Sequence, residues 1–257
     1  MANPFGGSDE ALTVNQSHAN YGNLIYAIIP RSASKVVEVI NAQQITNLTG
    51  AYDADGYWHP NTTTLTAVEF TPTGITCVST KTVISGWFRD AGADLGNYAS
   101  EAGFRNSATG VAYSRASISA AGDAASARTQ DNSYVQGPTT GASAVTSNTT
   151  FAFAHGQDSA GPNQKSWKRV GGSNTAMTPT TATFGTGASN NFDKVGFRNT
   201  SRFRFQYLFV YNAYLSDQDI DSIIDSPGDV LTYGGSGQPS GKRLGGVPFA
   251  TLNRGVW

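Results

Sequence analysis

The segment Phe203-Arg204-Phe205-Gln206-Tyr207-Leu208-Phe209-Val210-Tyr211 carries an aromatic side chain at every second position. A period of two is the repeat of a β-strand, whose side chains point alternately to its two faces, so one face of this strand reads as a continuous aromatic stripe. The opposite face begins polar at Arg204 and Gln206 and becomes apolar at Leu208 and Val210, which predicts that the second half is covered on both sides. Alternate burial of this kind is what the inner face of a β-sandwich requires.

The rest of the chain agrees with that reading. From residue 24 to 211 the apolar residues recur in short runs separated by Gly, Pro, Asn and Asp, the spacing of strands and turns. Strands are predicted at Leu24–Ile29, Val36–Ile40, Leu65–Phe70, Ile75–Ser79, Thr82–Phe88, Val111–Ser119, Thr149–His155, Ser166–Val170, Phe192–Phe197 and Phe203–Tyr211. One segment reads as a helix. Ser216 is placed to cap it, with Asp217 and Asp219 in the first turn, Ile220, Ile223 and Ile224 on one face, and Pro227-Gly228 as its stop. The expected fold is therefore all-β: a two-sheet antiparallel jelly-roll sandwich with one short helix near the C-terminus and extended terminal arms.

Composition removes several classes of function. At 14% charged residues and a net charge of −1, the chain has neither the basic footprint of a nucleic-acid binder nor the charge of a disordered polyelectrolyte. The longest strongly apolar run, Leu24–Ile29, is far short of the roughly 20 residues that span a bilayer, so no membrane partner is expected. Cys77 is the single cysteine, which excludes an intrachain disulfide and a cysteine-rich zinc site. The first ten residues lack a basic stretch followed by an apolar core, so synthesis in a host cytoplasm without a secretion signal is the expectation.

Three regions are expected: an N-terminal arm over 1–20, the sandwich over 21–233, and a Gly-rich linker with an apolar C-terminal arm over 234–257. In that last arm Leu244, Val247, Phe249, Leu252, Val256 and Trp257 sit in a stretch too short and too rich in Gly and Pro to bury them itself, so they need an acceptor groove, on the chain's own domain or a neighbouring subunit.

The closing segment, the aromatic strand followed by Tyr211-Asn212-Ala213-Tyr214-Leu215-Ser216-Asp217-Gln218-Asp219-Ile220, resembles the end of laminin-G-like domains of the concanavalin A-like lectin/glucanase superfamily. Thr82-Val83-Ile84-Ser85-Gly86-Trp87-Phe88 is similar to that family's early core strand, and Phe192-Asp193-Lys194-Val195-Gly196 to the strand before the closing one. The family's tryptophan-histidine strand has no clean counterpart, since Thr150–His155 lacks the tryptophan. Asn23–Pro30, leading to Tyr52 and Trp58, and the ending Phe249–Trp257 are similar in style to such modules in tailed-bacteriophage structural proteins. The resemblance implies a sandwich that works by adhesion.

The sequence offers little to a catalytic reading. A glucanase of this superfamily needs carboxylates at alternate positions of one strand, about 5–5.5 Å apart in a retaining enzyme. Here the four glutamates, Glu10, Glu38, Glu69 and Glu101, stand isolated and no nucleophile elbow occurs, so a third reading, a glycoside hydrolase, requires a carboxylate pair such as Asp90 and Asp94 to converge in space. His155 reads as a strand-end rim residue. The chain is accordingly expected not to be an enzyme and to hold no cofactor. The constellation that remains is Tyr52–Asn61, in which Asp53, Asp55 and Asn61 supply hard oxygen ligands suited to calcium. Tyr57, Trp58 and His59 offer ring faces to the apolar C–H side of a sugar, against the plain alternative of a turn followed by a core tryptophan.

Two functions follow. The first is a virion component decorating a phage capsid or tail, held to other virion subunits by its arms, homo-oligomeric, with arginine exceeding lysine by 11 to 6 as interfaces prefer. The second is an adhesin module that recognises a host surface polysaccharide. Removal of residues 234–257 is expected to lower occupancy on particles, measured by densitometry of purified virions; full occupancy would show that the arm is not the anchor.

Overall fold

The computed structural model describes residues 3–6, 10–60, 66–76, 79–90, 100–107, 113–118, 125–130, 148–158, 163–170, 173–176, 180–181, 192–199 and 203–233. In chain order the strands are β1 (Leu12–Val14), β2 (Leu24–Ser32), β3 (Lys35–Glu38), β4 (Gln43–Ile45), β5 (Ala51–Asp53), β6 (Gly56–Trp58), β7 (Thr66–Phe70), β8 (Lys81–Arg89) and β9 (Glu101–Arg105). They continue as β10 (Tyr113–Ile118), β11 (Ala125–Gln130), β12 (Thr149–Gln157), β13 (Asn163–Val170), β14 (Ser173–Ala176), β15 (Thr180–Thr181), β16 (Lys194–Asn199), β17 (Phe203–Tyr211) and β18 (Leu231–Tyr233), with α1 (Asp217–Asp225) between the last two.

Two antiparallel sheets carry the fold. The larger runs β14-β13-β12-β8-β17-β2-β3-β4, with β15 beside β13 and the β5–β6 hairpin beside β17; the smaller runs β11-β10-β9-β16-β7. Val68, Phe70, Ala102, Phe104, Val195 and Phe197 of the smaller sheet meet Tyr26, Ile28, Val83, Trp87, Phe151, Phe203, Phe205, Leu208 and Val210 of the larger in one core. Phe197 and Phe205 stack across the layers with ring centroids 3.8 Å apart, and Trp87 meets Phe205 edge-on at 5.2 Å. The expected all-β sandwich is what the chain forms.

The aromatic stripe is not continuous. Against β8, Phe205 pairs with Trp87 and Tyr207 with Gly86, so Gln206 is an extra residue and the strand bulges there. An extra residue resets the two-residue alternation. Phe203 and Phe205 therefore enter the inter-sheet core, while Tyr207, Phe209 and Tyr211 turn to the far side of the larger sheet. There they are covered by Ile220, Ile223 and Ile224 of α1 and by Phe5, whose ring meets Tyr207 and Phe209 edge-on at 6.1 and 6.0 Å. Gly86 makes the arrangement feasible: a Cβ there would lie 2.1 Å from Cε1 of Tyr207.

The helix forms as its sequence dictates. The Ser216 hydroxyl accepts from the Asp219 amide at 3.1 Å, and Trp167 Nε1 and Lys165 Nζ both donate to the Asp217 carboxylate, at 3.1 and 2.5 Å. The segment expected as an N-terminal arm lies against the same face: Arg31 donates to the carbonyls of Phe5 and Glu10, at 3.2 and 2.9 Å, and β1 pairs with β18. Of the predicted strand Ile75–Ser79, the described residues Ile75, Thr76 and Ser79 form no strand, and the Ser79 amide donates to the Thr76 carbonyl at 3.2 Å.

His155 is a core residue, not a rim residue. It lies inside β12 with no exposed surface, and burial together with the nearby Lys81 charge lowers its pKa from the ordinary 6.5 to about 3. The unfolded chain takes up that proton near pH 6.5 and the native chain only near 3, so the unfolded state binds more protons across this window. Stability is expected to fall as pH drops from 6.5 towards 3, by about 1.4 kcal/mol per pH unit from this group, and His155→Gln to flatten the profile measured by chemical denaturation. Gly86→Ala is expected to destabilise the fold by about 1–3 kcal/mol through overpacking, with Tyr207→Leu in the same chain recovering much of the loss.

Candidate functional site

The β5–β6 hairpin was the sequence's own candidate, and its polar groups are already engaged. The Asp53 carboxylate accepts from the Asp55 amide at 2.8 Å and from Arg204 Nε at 3.1 Å, while Arg204 Nη1 lies 3.0 Å from Asp90. The Arg204 guanidinium also lies over the Trp58 ring, 4.4 Å from its centroid. Gly56, at φ +131°, closes the turn so tightly that a Cβ would sit 2.5 Å from the Phe205 carbonyl oxygen. Together these contacts fasten the hairpin to the larger sheet beside the bulge.

This placement corrects part of the predicted site. Tyr57 is 1% exposed and meets Phe197 edge-on at 5.6 Å, so its ring belongs to the core and is not presented to a sugar. Trp58 is half-buried with Arg204 over its ring, and His59 is half-buried with Nε2 3.4 Å from the Thr49 hydroxyl. Asp53 is spent on Arg204, and the Asp55 carboxyl is held above its usual range by partial burial and by the Asp53 charge beside it. Both are poor conditions for a cation site, and among the described residues no group of three or more His, Cys, Asp or Glu could hold a metal. Asn61, Asp94 and the arm residues Leu244, Val247, Phe249, Leu252, Val256 and Trp257 lie outside the described residues.

On the outward face of the smaller sheet, Arg105 forms two hydrogen bonds to Glu69, at 3.0 and 2.7 Å, and Arg198 pairs with Glu101 at 2.9 Å. The hollow between them, beside Gly103 and Gly196, holds about 10 Å³, room for one water and no more.

A groove of about 500 Å³ opens instead where the start of β2 meets the β3–β4 turn and the segment after β7. That volume falls within the ~300–1,000 Å³ typical of ligand sites. It is lined by Leu24, Ile25, Tyr26, Ile40, Asn41, Gln43, Thr71, Thr73, Gly74, Ile75, Ser79, Thr80 and Asn212. Three buried polar groups fix its walls. The Glu38 carboxylate, 1% exposed, accepts from the backbone amides of Ala27, Ile40 and Asn41 and from Asn41 Nδ2, at 2.7–3.0 Å. The Tyr26 hydroxyl accepts from the Thr73 amide at 3.0 Å. Lys81 Nζ, on a residue with no exposed surface, donates to the carbonyls of Thr76 and Ser79, at 3.2 and 2.9 Å.

The rim also stores backbone strain. Ala42, between the lining residues Asn41 and Gln43, has φ +51°, a left-handed conformation that costs an alanine about 1 kcal/mol. Among the described residues the other non-glycine positions with positive φ are Asn47 and Asn148, for which that region is ordinary. The amide-rich run Asn41-Ala42-Gln43-Gln44 marks the rim in the sequence, but nothing there signals that Thr71–Ile75 and Ser79–Thr80 come to face it.

Comparisons with known proteins add the fold. No protein-family model matches the chain, and no curated protein matches it in sequence. Among solved structures it is similar to the Trypanosoma rangeli sialidase in complex with sialic acid, with a TM-score of 0.55 and 12% identity over 80% of this chain and 33% of that one. It is likewise similar to the botulinum neurotoxin serotype D binding domain, with a TM-score of 0.55 and 8% identity over 81% of this chain and 53% of that one. The chain thus spans about a third of the sialidase and half of the toxin domain. The likeness shows the β-sandwich fold. It also corrects the expectation that the chain is not an enzyme, because the architecture is found in sialidases.

Glu38→Gln is expected to destabilise the fold by about 2 kcal/mol, since an amide turns its NH2 towards two of the four donors that the carboxylate accepts. Chemical denaturation measures it.

Proposed function

We propose that this chain is a carbohydrate-recognition module and that its groove at the edge of the two sheets is the glycan site. The observation that carries the reading is the pairing of a ligand-sized volume with side-chain amides and hydroxyls around aliphatic patches, on walls fixed by buried anchors. Amides and hydroxyls exchange hydrogen bonds with sugar hydroxyls, and Ile25, Ile40 and Ile75 suit the apolar C–H faces of a sugar ring. The lectin-like sandwich supports the same reading.

The setting proposed for the module is a tailed-phage virion, where it would form homo-oligomers and meet capsid or tail subunits through its arms. The support for it is the resemblance of Asn23–Pro30 and Phe249–Trp257 to phage structural proteins and the apolar residues of 244–257.

A glycan array probed with the purified chain tests the recognition reading. Binding is expected, and Asn41→Ala and Gln43→Ala are each expected to weaken it about tenfold, the cost of one hydrogen bond worth about 1.4 kcal/mol. An array without signal would remove it.

A further inference from the structure

We propose that the groove is selective for uncharged glycans and rejects sugars bearing a carboxylate. This rests on the reading of the groove as a glycan site. Among the described residues, none of those lining it is Lys, Arg, His, Asp or Glu. Two charged side chains behind its walls, Glu38 and Lys81, are 1% and 0% exposed and face backbone groups of the walls. A sugar carboxylate entering the groove would lose hydration without meeting a cation, and burial of an unpaired charge is strongly unfavourable.

The electrostatics behind the rim reinforce the selection. Asn41 donates Nδ2 to Glu38 at 2.8 Å, so its amide cannot turn round without setting its oxygen against a carboxylate. The rim amide is thereby held in one orientation, with Nδ2 committed to Glu38. Lys81 offers no rescue, because two of its hydrogen bonds go to the Thr76 and Ser79 carbonyls and its ammonium lies over the Phe192 ring, 5.5 Å from the centroid. Neutral hydroxyls, by contrast, find donors and acceptors in Asn41, Gln43, Thr73 and Asn212. Although the Trypanosoma rangeli sialidase shares the fold and was solved with sialic acid, this groove calls for a ligand of different charge.

The test is titration of the full chain, by calorimetry and amide NMR, with lactose, maltotriose, cellotriose and mannotriose on one side and sialyllactose and trigalacturonate on the other. At least one neutral sugar is expected to bind, with an affinity that changes less than about twofold between about 0.05 and 0.5 M salt, as a contact without charge should. Its binding is expected to weaken about tenfold in Asn41→Ala, and Gln43→Lys is expected to admit sialyllactose at low salt. Binding of the carboxylated sugars alone, falling with salt, would overturn the charge selection and leave the groove as a glycan site. Silence towards every sugar would overturn both, and neutral binding indifferent to Asn41→Ala and Gln43→Ala would move the site elsewhere.

Discussion

One inserted residue organises this molecule. Without Gln206 as a bulge, the aromatic side chains of β17 would all face one sheet, and the far side of that sheet would offer little to hold the helix and the N-terminal segment. With it, Phe203 and Phe205 anchor the inter-sheet core while Tyr207, Phe209 and Tyr211 seed a second core behind. Gln206 is itself 1% exposed and donates Nε2 to the Asp55 carbonyl at 3.0 Å, so the bulge is also where the β5–β6 hairpin is tied down. Gly56 and Gly86, one beside each half of the bulge, leave room for that approach and for the Tyr207 ring.

The few charged residues do structural work of a consistent kind. Arg204 joins the hairpin to Asp90, Glu38 ties the β3–β4 turn to β2, and Lys81 holds the turn after β7. Each charge is consumed by neighbours within the chain, which stiffens the walls of the groove while leaving its interior uncharged. A site with walls held in advance loses less conformational entropy when a ligand enters.

The elements most legible in the sequence are those with a local cause. Ser216 capping Asp219, the isoleucine face of α1 and the strand character of β17 need no distant partner to be recognised, and all are present, although the single aromatic face expected of β17 is split in two. What escaped the sequence depends on contacts between remote segments. The reversal at Gln206 is fixed by its pairing with Trp87 and Gly86, the burial of Tyr57 by Phe197, and the loss of Asp53 as a cation ligand by Arg204, 151 residues away. His155 looked like a strand end because the sequence does not show that β12 runs on to Gln157 between β8 and β13. The groove was hidden for the same reason: its walls come from four separate stretches of chain.

The ribbon formed by β1 and β18 has a mechanical meaning. Leu12 stands opposite Tyr233 and Val14 opposite Leu231, so the way into the sandwich and the way out are stitched side by side. Phe5, which precedes β1, is itself seated in the second core, so a pull on the leading segment must draw out that ring before it loads the three-residue ribbon. Leu231 is buried in that same core, so the ribbon works as a clasp set into the sandwich, locking the leading segment down behind it.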